Sequence, residues 1–125
     1  MSFLWADYLT AARHLIEHSD ASGYAEACQR SAISRAYYAA LNTARSLLRD
    51  QWGIEVPETA EIHSFIPQWF LSEDDMDQKE IGVLLDRLRD RRRKADYDNE
   101  ISKVASLAKR SLIDARLVID RVSTL

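Results

Sequence analysis

The chain has 125 residues, a formal net charge of −3 and a single cysteine, Cys28. This length is sufficient for one domain with a core of its own. One cysteine cannot form an internal disulfide, and three glycines and two prolines are too few for a turn-rich all-β fold. The negative net charge also disfavours a generally basic protein that binds nucleic acid regardless of sequence.

Membrane and metal sites are not indicated by the sequence. No apolar run approaches the length of a membrane span and no secretory signal is visible, so we expect a cytoplasmic protein without a membrane partner. His14 and His18 have the i, i+4 spacing that can hold a metal, but no third ligand accompanies them. We therefore predict neither a metal site nor a cofactor.

Hydrophobic periodicity predicts an all-α bundle of four long helices and one short helix, in a single domain spanning residues 1–125. The long helices are expected at residues 2–18, 24–52, 73–95 (ending at 94 or 95) and 100–123, and the short helix at residues 59–71. Residues 19–23 are predicted to form a turn. Pro67 is expected to kink the short helix or to begin a new turn within it.

Helix ends are predicted from capping residues. Ser72 followed by Asp75 fits an N-cap and a first-turn acid for the third long helix, where the helix dipole favours negative charge. Asp98 or Asn99 is expected to cap the last helix. These roles account for the acidic residues near position 75 without a metal site.

The second long helix carries a ridge of small residues that lets neighbouring helices approach closely. On its polar margin lie Arg35, Tyr38 and Asn42, at i, i+3 and i+7. These three side chains either edge the core and form hydrogen bonds across it, or line a ligand-binding cleft together with Arg92. The spacing alone leaves both interpretations open.

An apolar stripe on the third long helix continues into a block of arginines. Its leucines and isoleucine predict one buried face, and the next turn of that face is occupied by Arg92, with Arg91 on its flank. Arg93 and Lys94 are expected to face solvent. Asp96 lies four residues after Arg92, the spacing that pairs an arginine with a carboxylate on a helix, and Tyr97 follows.

His63 lies among aromatic residues in the short helix. It could approach the cleft near Arg92, or it could be a structural histidine at the edge of the core. We favour the structural interpretation, because a lone histidine beside aromatic residues is usually part of the packing.

Two segments, RSAISRAYYAALNTARSLL (residues 30–48) and RRRKADYDN (residues 91–99), resemble the HEPN superfamily of small helical bundles. The likeness covers nearly the whole chain and is greatest to a branch marked by an arginine followed by Ala-Asp-Tyr. The resemblance implies a homodimer and, for many members, metal-independent endoribonuclease activity through an R-x4-6-H motif. Many members are toxins whose antitoxin is a minimal nucleotidyltransferase, which in some cases adds AMP to a tyrosine near the motif.

In this chain Arg91 or Arg92 matches the motif arginine, Asp96 occupies the place of the histidine, and Tyr97 lies near the position of the modified tyrosine. Cleavage of RNA by its 2′-hydroxyl needs a group that takes a proton and positive charge that stabilises the phosphorane. Arginine supplies the charge. An ionised aspartate can accept the proton, although it also repels phosphate.

Three functions remain open on the sequence. The first is a HEPN-like toxin or effector ribonuclease that binds the scissile phosphate with Arg91 and Arg92 at a dimer cleft. Asp96, Tyr97 and either Tyr38 or Asn42 would assist. The second is a non-catalytic HEPN module that binds a nucleotide or a partner nucleotidyltransferase. In the third, Arg92 and Asp96 form only an intramolecular ion pair that holds helix ends together.

Overall fold

The computed structural model describes residues 3–125, which form an all-α bundle. Its helices are α1 (Asp7–Glu17), α2 (Ser19–Ser22), α3 (Ala25–Ser46), α4 (Ile62–Leu71), α5 (Met76–Tyr97) and α6 (Val104–Ser123). A π-helical turn, Leu47–Gln51, continues α3. The predicted architecture is confirmed, with α1, α3, α5 and α6 as the long helices and α4 as the short one. No helix within residues 3–125 has the length and apolar content to span a bilayer.

Helix α3 lies at the centre of the bundle and packs against α1, α5 and α6. Its small residues are fully buried along most of its length: Ala32, Ala36, Ala39, Ala40 and Ala44. Small side chains let the axes of neighbouring helices approach closely, so one helix can contact three partners. The larger core residues, including Leu41 on α3 and Leu85 on α5, fill the space between these contacts.

The start of α1 and the turn after it differ from the sequence prediction. Helix α1 begins at Asp7 instead of residue 2, and Ser2 lies outside the described residues. Before α1, the ring of Trp5 packs edge-on against that of Tyr8, with centroids 5.6 Å apart. The predicted turn at 19–23 is a single helical turn, α2, which ends at Gly23 with a positive φ of 78°.

The N-terminus of α5 was predicted three residues too early. Asp75 is the N-cap, because its side chain accepts a hydrogen bond of 3.0 Å from the backbone N–H of Gln78. Ser72 does not cap α5; its hydroxyl donates to the carbonyl of Gln68 and lies at the end of α4. Helix α4 itself begins at Ile62 and continues through Pro67.

The last helix was also predicted to begin too early. Helix α6 begins at Val104, after Lys103 in the left-handed conformation, with φ 55°. Neither Asp98 nor Asn99 caps it. The backbone carbonyls of both residues instead accept hydrogen bonds from the Arg30 guanidinium of α3. These contacts keep the chain beside α3 before α6 begins.

Helices α4 and α5 approach most closely at Gly82. A Cβ atom at this position would lie 2.9 Å from the backbone oxygen of Pro67 and 2.7 Å from Cγ of Leu71. A backbone oxygen cannot rotate away as the end of a side chain can. Gly82 therefore fixes the distance at which α4 packs against α5, and with it the position of every side chain that α4 carries toward α5.

We expect Gly82→Ala to lower the free energy of unfolding. Alanine is intrinsically about 1 kcal/mol better than glycine in a helix, but forcing a methyl group against a fixed carbonyl costs about 1–3 kcal/mol. Val83→Ala, at the exposed neighbouring position, is the matched control and should change stability by less than about 0.5 kcal/mol. Chemical denaturation measures both, and an unchanged or raised stability of Gly82→Ala would contradict the close approach.

Candidate functional site

The C-terminal end of α5 is held against α3 by the Arg30 guanidinium. Arg30 donates hydrogen bonds to the carbonyls of Ala95 and Asn99, each at 3.2 Å, and to the carbonyl of Asp98. The last carbonyls of a helix have no partner within the helix and carry its negative end, so a cation satisfies both requirements. Glu26 holds the same guanidinium at 3.0 Å from Nε. The last turn of α5 is thereby fixed in position.

Arg91 and Arg92 point to different neighbours. Nη1 of Arg91 lies 2.7 Å from Oδ2 of Asp114 on α6, whereas the guanidinium of Arg92 lies over the ring of Tyr37 on α3, 5.3 Å from its centroid. Consecutive residues on a helix are about 100° apart, which separates the two side chains. The predicted burial of both is confirmed, since each is 9 % exposed. The structure does not bring Arg91 into contact with the surroundings of Arg92.

Arg92 is incompletely neutralised. Its guanidinium contacts the faces of two tyrosine rings, with the centroid of Tyr38 at 5.7 Å, and Asp96 Oδ2 lies 3.7 Å from its Nη1. That carboxylate also accepts a hydrogen bond of 3.4 Å from the Ser34 hydroxyl. Nε of Arg92 is buried and has no hydrogen-bond partner within residues 3–125. A buried donor without a partner is costly, and an anion would satisfy it.

Arg89 adds a second positive charge on the same side of α5 as Arg92. It lies three residues before Arg92, and its Nε is also buried without a hydrogen-bond partner in the described chain. No acidic side chain of residues 3–125 lies within ion-pairing distance of Arg89. The sequence analysis did not single out this arginine, although its i, i+3 spacing from Arg92 places the two side chains near each other on one helix.

His63 joins this cluster from α4. Its Nδ1 and the hydroxyl of Tyr37 are connected by a hydrogen bond of 2.5 Å, and the two rings are stacked with centroids 5.7 Å apart. Tyr37 is fully buried, and burial raises the pKa of its hydroxyl to about 12, so the hydroxyl stays protonated. We refer to Tyr37, Tyr38, His63, Arg89 and Arg92 as the arginine–tyrosine cluster.

The surroundings of His63 favour the neutral form of its imidazole. Burial lowers the pKa of the imidazole from its ordinary value, and the positive charges of Arg92, Arg89 and Arg93 on α5 lower it further. Tyr37 and Tyr38 face the ring from α3. The sequence analysis favoured a structural histidine and left open an approach to the cleft near Arg92, but it did not identify the contacts with Tyr37 and Tyr38. No local pattern marks them, because they depend on where α4 packs against α3 and α5.

A family model for the HEPN domain matches residues 6–125, nearly the whole chain. The chain belongs to the HEPN family. The resemblance inferred from the sequence is therefore confirmed. No curated protein and no solved structure gives a match to the chain.

Within this HEPN domain, two further predicted site residues, Asn42 and Tyr97, have no recorded contact with the guanidinium of Arg92. Asn42 is buried one helical turn beyond Tyr38 on α3. Tyr97, at the end of α5, is 75 % exposed and takes no part in the aromatic contacts around Arg92. Among these three, only Tyr38 contacts the guanidinium of Arg92.

Arg35 lies outside the arginine–tyrosine cluster. Its guanidinium packs over the ring of Tyr8 on α1, 5.1 Å from the centroid. It also lines a groove of about 350 Å³ together with Arg30, Ser34 and Asp96. The structure thus separates the two arginines of the predicted cleft: Arg35 packs over Tyr8 of α1, and Arg92 packs over Tyr37 and Tyr38.

The cluster of this HEPN domain has the chemistry of an anion site. Two guanidinium groups are only partly paired, and a neutral histidine lies beside them. Phosphate and carboxylate oxygens are the usual partners of such groups. Within residues 3–125, no group of three or more His, Cys, Asp or Glu side chains is arranged to hold a metal ion. His14 and His18, whose spacing could hold a metal, are instead joined by a hydrogen bond: the Nδ1–H of His18 donates to the backbone carbonyl of His14.

We expect the stability of the domain to fall as the pH drops below about 6.5, in part because of His63. The lowered pKa means that the unfolded chain binds a proton at pH values where the folded imidazole stays neutral. The stabilisation is therefore present above the unfolded pKa and lost as the pH falls toward the folded one. His63→Gln should reduce this dependence, and His14→Gln, at an exposed position, should retain it. Parallel curves for wild type and His63→Gln, measured by urea denaturation between about pH 5 and pH 8, would contradict the assignment.

We expect Arg91→Ala to cost about 3 kcal/mol of folding stability, because it leaves Asp114 partly buried without its counter-charge. Arg116→Ala removes a more exposed ion pair with Asp120, at 3.8 Å, and should cost less than about 0.5 kcal/mol. Combining Arg91→Met with Asp114→Leu should recover most of the loss, since no unpaired charge remains. Urea denaturation measures all three variants, and equal losses for Arg91→Ala and Arg116→Ala would argue against a structural role.

Proposed function

We propose that this HEPN domain is a metal-independent endoribonuclease that acts as a toxin or effector, with Arg92 binding the scissile phosphate. The incomplete neutralisation of Arg92 and Arg89 supports this proposal most directly. Both guanidinium groups have a buried Nε without a hydrogen-bond partner in the described residues. A phosphodiester supplies oxygens for these donors, and the same positive charge stabilises the phosphorane as it forms.

In this proposal the residues after Arg92 complete the reaction site. Asp96 takes the proton of the attacking 2′-hydroxyl, and water returns a proton to the departing 5′-oxygen. The hydrogen bond from Ser34 orients that carboxylate. Tyr97 is exposed at the end of α5 and offers its ring to a base of the RNA. Arg91 was predicted as a second phosphate ligand. In this proposal it instead stabilises the packing of α5 against α6 through its ion pair with Asp114.

The proposal includes two protein partners. A homodimer brings two copies of the C-terminal end of α5 to one cleft, as the HEPN resemblance implies. A nucleotidyltransferase acts as the antitoxin and recognises the exposed Tyr97. We place the protein in the cytoplasm, where RNA and such a partner are both present.

We expect purified wild-type protein to cleave RNA in the presence of EDTA, and Arg92→Ala to reduce the rate by about 100-fold. Arg93→Ala is the matched control: it removes the neighbouring charge, but Arg93 is exposed, so the rate should stay within about threefold of wild type. Arg92→Lys keeps the charge without the planar fork and should be intermediate. Melting temperatures identify any variant that is unfolded. Equal cleavage by wild type and a folded Arg92→Ala would refute the proposed role.

The second candidate is a non-catalytic HEPN module that binds a nucleotide or a nucleotidyltransferase. Asp96 in the place of the motif histidine favours it. Under this alternative, Arg92 binds a nucleotide phosphate and no RNA is cut. RNA cleavage distinguishes the two functions, since only the ribonuclease degrades RNA. Calorimetry with ATP and co-purification with the product of the neighbouring gene test the binding that the second candidate requires.

A further inference from the structure

The hydroxyl of Tyr37 determines which nitrogen of His63 carries a proton. Tyr37 is fully buried, and within residues 3–125 its hydroxyl interacts with Nδ1 of His63 and with the guanidinium of Arg92. A buried hydroxyl must donate its hydrogen to an acceptor, and a guanidinium such as that of Arg92 has no acceptor to offer. Tyr37 is therefore the donor and Nδ1 is the acceptor.

A neutral imidazole that accepts at Nδ1 carries its proton on Nε2. Nε2 of His63 forms no hydrogen bond within the described chain. The side chain is only partly buried. His63 therefore presents a free N–H donor on the edge of its ring that is opposite to Tyr37.

His63 and Arg92 share their aromatic contacts. Both groups pack against the same two rings: Cζ of Arg92 is 5.3 Å from the centroid of Tyr37 and 5.7 Å from that of Tyr38, and the His63 ring is 5.7 Å and 6.1 Å from the same centroids. Burial lowers the pKa of the His63 imidazole, and the positive charge of Arg92 lowers it further. A positively charged imidazole at this position would be repelled by Arg89 and Arg92, whereas a neutral donor is not.

We infer that His63 binds a phosphate oxygen as a neutral hydrogen-bond donor through Nε2, beside the guanidinium of Arg92. The ligand class is a phosphodiester of single-stranded RNA. Tyr37 acts as a positioning residue, because its hydrogen bond selects the tautomer and orients the ring. The inference rests on the phosphate site of the proposed function and adds a binding residue from α4 that lies outside the motif on α5.

Binding of a fluorescein-labelled 2′-O-methyl RNA oligonucleotide, measured by anisotropy, tests this role without cleavage, because the attacking hydroxyl is blocked. We expect His63→Ala to weaken binding by about tenfold, the equivalent of one hydrogen bond to an anion. His63→Gln retains an N–H donor near the position of Nε2 and should stay within about threefold of wild type. His14→Ala, on the exposed face of α1, is the control and should bind as wild type does. Melting temperatures establish that each variant is folded.

Three binding results would overturn the inference: no binding by the wild type, equal binding by wild type and His63→Ala, or equal weakening by folded His63→Gln and His63→Ala. The last result would mean that contacts of the imidazole ring, and not a neutral N–H donor, are what binding needs. If the wild type cleaves RNA while His63→Ala binds normally, the inference fails and the ribonuclease stands. If nothing is cleaved but His63→Ala weakens binding and His63→Gln does not, the ribonuclease fails and the inference stands.

Nitrogen-15 NMR of the imidazole gives an independent measurement. At neutral pH we expect the resonances of His63 to show a protonated Nε2 and an unprotonated Nδ1. In Tyr37→Phe the acceptor loses its donor, and the population should shift away from this single tautomer. A wild-type imidazole protonated at Nδ1 would overturn the assignment of Nε2 as the donor.

Discussion

The position of the site depends on the contact between Arg30 of α3 and the backbone at the end of α5. Hydrogen bonds from a charged donor contribute about 1.5–3 kcal/mol each, and Arg30 makes three of them, to Ala95, Asp98 and Asn99. They join two helices far apart in the chain at the turn where Asp96 meets Ser34. If the end of α5 frayed, Asp96 would no longer be held next to Arg92. The segment between α5 and α6 would also lose its contacts with α3.

Around that fixed end, α5 uses its positive charges for different purposes. Arg91 forms an ion pair with Asp114 and thereby joins α5 to α6. Arg93 is exposed to solvent. Arg92 lies over two tyrosine rings. Both Arg92 and Arg89 have a buried Nε that lacks a hydrogen-bond partner within residues 3–125. A protein with a net charge of −3 thus keeps a local excess of positive charge in one small region. The aromatic faces of Tyr37 and Tyr38 cover the Arg92 guanidinium without neutralising it, and Asp96 is the one acidic side chain of residues 3–125 within ion-pairing distance of it.

The helical architecture and the burial of Arg92 could be predicted from the sequence, because both follow from periodicity within single helices. The partners could not. Asp114 lies 23 residues after Arg91, and His63 lies 26 residues after Tyr37, so each contact exists only once the bundle has packed. The start of α6 was placed too early for a related reason: Asn99 and its neighbours resemble caps locally, but the tertiary contact with Arg30 holds their carbonyls outside the helix.

Arg91 and Arg92 are adjacent but contact different helices, α6 and α3. Their contacts therefore depend on the number of residues that precede them in α5 as well as on the residue types. Each residue added to an α-helix rotates all later side chains by about 100° and advances them by about 1.5 Å. One residue inserted between Leu88 and Arg91 would bring Arg91 over the tyrosines, turn Arg92 to the solvent side now occupied by Arg93, and leave Asp114 alone. Helical phase, and not the number of arginines, therefore determines which arginine pairs with Asp114 and which one lies over the tyrosine rings.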